Sequence, residues 1–395
     1  MYAYYERQHV LPTYGALDTE EQLAAHEHHR RRLFTDKLLL PPQVFDGARL
    51  IEFGPDAGEN SLVFAQWGAG CTLVEPNLKA HPAIRAYFDR FGLAGRLAAL
   101  HPEPLQDFPL PSSAEEQFDI VDAEGFIYTV QPSSLWIEAF ARLVRPGGLV
   151  VLFYMETFGS LLELVWKVVQ ARYRALTGDD AFDAARTVFA AKWASIPHKR
   201  SIESWAMDVL ENPFVRLPYF LEAQDLCRSM SAAGFRLYSS WPRYDGGLDV
   251  HWFKRELTAE EQLGHELDFI ARSRLSHLFG RKHFAGAELP YAEADLVRLI
   301  ADVDALIDDY DAQRVARARA TSRQLAEVVT SGALLSTPGE TAATAETLAM
   351  LDELFDVLDD GSPDAIVTFC NSAPAFIDAW GTPSHFAVFR RAAAD

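Results

Sequence analysis

Cysteine is scarce in this chain of 395 residues: Cys71, Cys227 and Cys370 stand far apart and match no zinc-ligand spacing. So sparse and odd a set reads as a reducing, intracellular compartment rather than a disulfide framework. Basic residues are also in deficit, 36 Lys and Arg against 56 Asp and Glu, for a net charge of −20. A surface that acidic repels phosphate backbones and anionic headgroups, so general nucleic-acid or membrane-surface binding is excluded and at most a local basic pocket remains. Long apolar runs are missing too. The start "MYAYYERQHV" has no basic stretch followed by an apolar one, so it is no targeting signal. The most apolar later helix, "SLLELVWKVVQARYRAL" from Ser160, is broken by Glu163, Lys167 and Arg172. It is too short and too charged to span a bilayer. No membrane insertion is expected, and the expected location is the cytoplasm.

What is present supports a sizeable core, since 49% of the residues are hydrophobic. The length suggests two or three domains, or one large core with additions. Residues 1–48 read as a helical cap with a Tyr-rich start. Short apolar runs then alternate with amphipathic stretches: "RLIEFG" (49–54), "CTLVEPN" (71–77), "RLAALHPE" (96–103), "FDIVDAEG" (118–125) and "GGLVVLFYMET" (147–157) read as strands. Alternation of this kind predicts right-handed βαβ units and a parallel sheet, an α/β fold. Residues 158–215 are helical in character, with Leu161, Leu164, Val165, Val168 and Val169 on one face. The α/β pattern resumes with a helix from Leu221 to Ala233, a strand at Phe235–Ser240 and a returning strand at Val250–Lys254. Residues 158–215 are therefore an insertion within the α/β domain. Beyond 258 the chain is mostly charged amphipathic helix, and "SHFAVFRR" near its end has the pattern of a last strand.

The stretch "LIEFGPDAGENSLVFAQWGAGCTLVEPN" from Leu50 is the most informative. A strand that ends in a glycine turn and launches a helix aims free backbone N–H groups at whatever lies above it. Ligands of α/β sheets sit at the carboxyl ends of the strands. Glu75 ends the next strand, the position that accepts hydrogen bonds from ribose hydroxyls. Two ligand classes fit, a dinucleotide or S-adenosylmethionine. The dinucleotide fingerprint G-x-G-x-x-G is absent, because Asp56 and Glu59 stand where its later glycines belong. Two carboxylates beside a pyrophosphate are unfavourable, whereas S-adenosylmethionine carries a cationic ammonium and sulfonium. Asp is among the few non-glycine residues that tolerate a left-handed conformation, so the turn can survive without its middle glycine.

On these residues the chain resembles the class I S-adenosylmethionine-dependent methyltransferases, over residues 49–157 and 216–257. The first motif of that family appears as Glu52-Phe53-Gly54-Pro55-Asp56-Ala57-Gly58, the acid of the second strand as Glu75, the fourth strand as "FDIVDAEGFIYTV", and the approach to the fifth as "FARLVRPGGLVVL". The resemblance implies a Rossmann-like methyltransferase core at 49–157 and 216–257, with the helical cap 1–48, a helical lid at 158–215 and a mostly helical domain at 258–395. It implies that Glu52, Gly54, Pro55 and Gly58 shape the pocket around the methionine part. Glu75, with Pro76, would meet the ribose, and Glu103 (or Asp107) the adenine amino group. Ala123 to Phe126, with Glu124 and Gly125, would line the cofactor from the fourth strand. The cofactor would be S-adenosylmethionine and the product S-adenosylhomocysteine.

Methyl transfer from a sulfonium is an in-line displacement, so catalysis rests on alignment in a dry site. A hydroxyl acceptor additionally needs a base. Tyr128, just past the fourth strand, and His251, beside Asp249, are the candidate catalytic residues, with Glu156 and the more remote His385 behind them. No metal is required, and no metal-ligand cluster stands out. In "HEHHRRR", His26, His28 and His29 do not share a helical face well, so a solvated face is expected there. The expected acceptor is a small molecule or a sugar or glycan hydroxyl, since "EFGPDAGENS" resembles methyltransferases of bacterial surface-polysaccharide synthesis. A natural-product acceptor (aromatic or amine) is the alternative reading, and a non-catalytic binding protein on the same fold is the second. The helices from 258 are read as a module for homodimerisation or substrate gating.

Overall fold

The computed structural model describes residues 17–196, 201–245, 255, 257–280, 293–331 and 338–393. The chain divides into two compact units, one built from 1–154, 223–267 and 385–395, the other from 155–222 and 268–384.

The first unit begins with helix α1 (Glu20–Arg31), whose start is written in the sequence as a capping box. The Thr19 side chain accepts from the Gln22 N–H, and the Gln22 side chain accepts from the Thr19 N–H. Then come strand β1 (Arg49–Phe53), helix α2 (Glu59–Gln66), β2 (Gly70–Val74), α3 (His81–Arg90), β3 (Leu97–His101), β4 (Phe118–Glu124), α4 (Ser134–Leu143) and β5 (Val144–Met155). The helix Ala223–Ala232 leads into β6 (Phe235–Trp241), and β7 (Ser384–Arg391) closes the sheet. The order is β3-β2-β1-β4-β5-β7-β6, with the β1–β2, β1–β4, β2–β3 and β4–β5 pairs parallel and β6–β7 antiparallel.

The central strands are buried on both faces, which is why they read as near-continuous apolar runs. Helix α4 offers Trp136, Ile137, Phe140 and Leu143 to the sheet at helical spacing, all buried. The segment after α1 joins the core through rings: Phe45 stacks on Phe64 with centroids 5.2 Å apart, and Phe34 meets both edge-on. The N-terminal cap is thus part of the same hydrophobic cluster as β1 and α2.

The seventh strand comes from the far end of the sequence. The sequence pattern offers two sources for a strand beside β6, Val250–Lys254 and "SHFAVFRR"; the second occupies the place between β5 and β6, while 250–254 lie outside the described residues. The region expected to be mostly helical, 258–395, ends in the strand its pattern suggests, and that strand belongs to the first unit.

The second unit joins the helical stretch after β5 with most of the helices beyond 268. Its helix Leu161–Thr177 buries Leu161, Val165, Trp166 and Val169, and stops at Gly178, whose φ of 79° is the left-handed cap a glycine supplies. Arg216 reaches Asp304 at 2.8 Å and Asp308 at 2.7 Å. The fully buried Lys192 donates to the carbonyls of Phe376 (2.8 Å), Ile377 (3.2 Å) and Ala379 (2.7 Å). It lies 4.2 Å from the ring centres of both Trp166 and Trp380. Carbonyl dipoles and ring faces hold that buried amine, and Asp378 adds a favourable charge.

Candidate functional site

The carboxyl ends of β1, β2 and β4 bring the expected cofactor residues together in the first unit. Gly54 follows β1 with φ +71°, a conformation only glycine adopts freely, and its N–H donates to the Val74 carbonyl at 3.0 Å. A Cβ on Gly54 would fall 2.8 Å from the Phe126 ring, so the turn and the end of β4 press against each other there. Pro55 is buried beside it. Asp56 takes the left-handed conformation at φ 52°, and Gly58, at φ 92°, caps α2. The acid in place of the middle glycine therefore keeps the turn, as its tolerance of that region predicts.

Glu75 directly follows β2, at 4% exposure. Its Oε2 accepts the Asp56 N–H at 3.1 Å and its Oε1 accepts the Asn77 N–H at 2.7 Å. Burial pushes its carboxyl up to about 7, against the pull of those two hydrogen bonds. His81 Nε2 lies 2.6 Å from the Glu75 carbonyl, and Pro76 is half-buried. Beyond β3, Glu103 is half-buried, 3.5 Å from His101 Nδ1. Asp107 is exposed in the short turn Leu105–Asp107.

On β1 and β4 three acids share one region. Glu52 is buried and accepts the Ser61 hydroxyl; Asp122 is fully buried; Glu124 ends β4. Gly125 follows with φ +81°, then Phe126 and Tyr128, buried to 7% and 5% exposure. Glu124 is held by Arg30 through both terminal guanidinium nitrogens, at 2.6 and 2.8 Å. A bidentate pair of that kind is among the stronger charge-assisted contacts.

Arg30 corrects the solvated-face reading of "HEHHRRR". His28 and His29 are exposed, but Arg30 is buried to 5% against the Phe34 ring, 4.7 Å away. One turn earlier, His26 Nε2 lies 3.2 Å from Asn60 Oδ1, and burial pulls its imidazole down to about 4. Glu27 takes the Trp67 indole N–H at 2.8 Å. The i, i+4 spacing of His26 and Arg30 was the available signal, hidden by the surrounding charged run. Asp122 and Ser61 were also missed, because nothing local marks them.

The catalytic candidates are scattered. His251 lies outside the described residues. Glu156 belongs to the second unit, where it accepts the Gly159 N–H at 2.8 Å. His385, the second residue of β7, is fully buried, its Nδ1 2.6 Å from the Tyr244 hydroxyl, which also meets the Tyr154 hydroxyl. Among the described residues, no helix is long and apolar enough to cross a membrane.

The model of a family described as "Methyltransferase domain" matches residues 26–240. No curated protein matches the chain in sequence. Among solved structures, the chain is similar to the 4+2 cyclase SpnF, with TM-score 0.37 and 11% identity over 96% of this chain and 85% of that one. It is similar to the glycopeptide N-methyltransferase MtfA complexed with sinefungin, with TM-score 0.25 and 16% identity over 29% of this chain and 49% of that one. It is also similar to the N-methyltransferase NodS from Bradyrhizobium japonicum, with TM-score 0.26 and 14% identity over 35% of this chain and 71% of that one.

Proposed function

This chain belongs to the methyltransferase-domain family, and from that premise we propose that it methylates a hydroxyl oxygen of a small-molecule or glycan acceptor. It is an S-adenosylmethionine-dependent methyltransferase. The residues at the site fit that cofactor. The turn after β1 carries a carboxylate at Asp56 rather than room for a pyrophosphate, and the neighbouring buried groups Glu52 and Asp122 are acidic. A cationic ligand suits such a pocket and a phosphate does not.

The observation that carries the reading is the Asp56–Glu75 contact. It presets the acid of β2 against the turn after β1. Each Glu75 oxygen accepts one backbone N–H and keeps a further lone pair, enough for two hydroxyl donors such as a ribose offers. The bound cofactor supplies an electrophilic methyl on sulfur. The protein aligns the acceptor and excludes water. Phe126 and Tyr128, both buried past β4, supply apolar walls on that side. The Tyr128 hydroxyl accepts a hydrogen bond from the acceptor O–H and orients it; as the O–C bond forms and the S–C bond breaks, the acceptor proton passes to solvent. The hydroxyl preference draws on the likeness of "EFGPDAGENS" to enzymes of surface-polysaccharide synthesis and on the Tyr128 position.

Calorimetric titration with S-adenosylmethionine, S-adenosylhomocysteine and NADH tests the cofactor. Transfer of labelled methyl to nucleotide sugars, then to phenols and amines, tests the acceptor. Binding of the first two with label on a sugar hydroxyl is the expected result. Label on an amine would overturn the hydroxyl assignment, and binding of NADH alone would overturn the cofactor.

A further inference from the structure

The first turns of the helix Ala259–Phe279 put Ala259, Gln262, Leu263 and Glu266 at i, i+3, i+4 and i+7, on one helical face. That face meets Phe235, Arg236 and Leu237 of β6, and Cys227 and Ser231 of the helix Ala223–Ala232, around a recess of about 210 Å3, open solvent included. The enclosed part has room for about one water. Ile270 continues the face as a core residue. Glu266 instead puts a carboxyl where the period calls for an apolar side chain, at 5% exposure.

Side-chain amides hold these turns down. Gln262 Nε2 donates to the Leu237 carbonyl at 3.0 Å and to Glu266 Oε1 at 2.8 Å, and Gln224 donates to the Leu267 carbonyl. Glu266 Oε2 accepts nothing among the described residues. No cation among them answers its charge either. Arg236 is exposed and forms no ion pair with it, and Arg228 is taken by Asp225 at 2.8 Å. Asp245, beyond β6, is a second negative charge acting on Glu266. On its own helix Glu261 is paired with Arg255 and Asp268 with Arg272, and His265 is exposed. Cys227 adds no charge, because burial pushes its thiol up.

Burial raises the Glu266 carboxyl to about 7, against the Gln262 hydrogen bond and with Asp245 adding to it. Protonated, Glu266 fills its place as a neutral group. Ionised, it offers about four lone-pair sites, of which Gln262 fills one and a recess of one water cannot fill the rest. We propose that Glu266 is a pH-sensitive latch on the start of this helix: protonated, it seals residues 259–266 against β6; ionised, it draws water through the recess and loosens them from the strand. The latch needs no bound ligand and is independent of the methyltransferase reading above.

The sign follows from linkage. A carboxyl raised in the fold contributes stability at low pH that is lost as pH rises from its ordinary value, 4.5, to about 7. In the opened form Glu266 regains water and its ordinary value, so opening is favoured as pH rises through that window.

Labelling of Cys227 by methyl methanethiosulfonate, followed in its own peptide by mass spectrometry, reads the opening, since this thiol lines the recess at 1% exposure. Dividing the wild-type rate by that of Glu266→Gln, which keeps an oxygen for Gln262, cancels the pH dependence of the thiol itself. That ratio is expected to rise about tenfold between about pH 6 and about pH 8, the factor that one unit of pKa carries. The same ratio at Cys71, fully buried on β2, is expected to stay flat. Glu266→Gln should also melt higher than wild type at about pH 8, with the gap closing towards about pH 5.

A Cys227 ratio that does not move with pH would overturn the latch. So would an equal rise at Cys71, which would make Glu266 a determinant of global stability only. If Glu266→Gln does not fold, wild-type labelling of Cys227 divided by that of N-acetylcysteine must show the same rise without Cys71 following it, and a flat profile overturns the latch.

Discussion

The backbone N–H of Asp56 donates to Oε2 of Glu75 across 3.1 Å, while Asp56 itself sits in the left-handed region at φ 52°. The residue that breaks the expected glycine pattern is thereby joined to the acid that ends the next strand.

Removing that acid should cost binding more than folding. Glu75→Ala deletes a charged acceptor for two ribose hydroxyls, worth about 3 kcal/mol or roughly a hundredfold in Kd. Calorimetry with S-adenosylhomocysteine measures it.

Binding should also follow the charge of Glu75. Hydroxyl donors favour the carboxylate form, and burial pushes this carboxyl up to about 7. Affinity should therefore fall as pH drops through about 7. In the free protein the sign reverses: the contribution of Glu75 to stability is present at low pH and is lost as pH rises through that value. Glu75→Gln should flatten both trends, seen as pH series of Kd and of melting temperature.

Asp56 can be exchanged by conformation rather than by chemistry. Asp56→Gly should preserve stability and binding, because glycine enters the left-handed region freely. Asp56→Val should lose about 1–2 kcal/mol in urea unfolding.

Gly54 has less latitude. A Cβ there meets the Phe126 ring at 2.8 Å and must also accept φ +71°. Gly54→Ala should cost about 2 kcal/mol or more. Adding Phe126→Leu should recover only the part due to the ring, which a double-mutant cycle of melting curves separates from the backbone part.

The Arg30–Glu124 pair should behave as a buried ion pair. Arg30→Met strands Glu124 beside two other acids and should destabilise by about 3–5 kcal/mol. The double change Arg30→Met with Glu124→Met should restore most of that loss in the same unfolding assay.

Much of the first unit is legible from local pattern. The apolar runs at Arg49, Cys71, Phe118 and Phe235 each become a strand within a few residues of the expected bounds, since a strand buried on both faces must be apolar throughout. The left-handed Asp56 follows from residue type and position alone. The helices after β5 are also legible as helices, because a 3.6-residue period shows in any window. That they join those beyond 268 in one unit was not readable, nor which of two segments would become the seventh strand. Those outcomes depend on pairings between residues hundreds of positions apart.

The site divides in the same way. By itself the amino-acid sequence determined the βαβ core, the turn from Gly54 to Gly58 and the acid at Glu75, because backbone conformation and apolar period are local properties. Only the tertiary structure decided that Arg30 is buried on Glu124, and that Asp122, beside Glu52, has no hydrogen-bond partner among the described residues. The free energy of a charge is set by the groups that replace its water, and in this fold those groups come from α1, α2, β1 and β4 together.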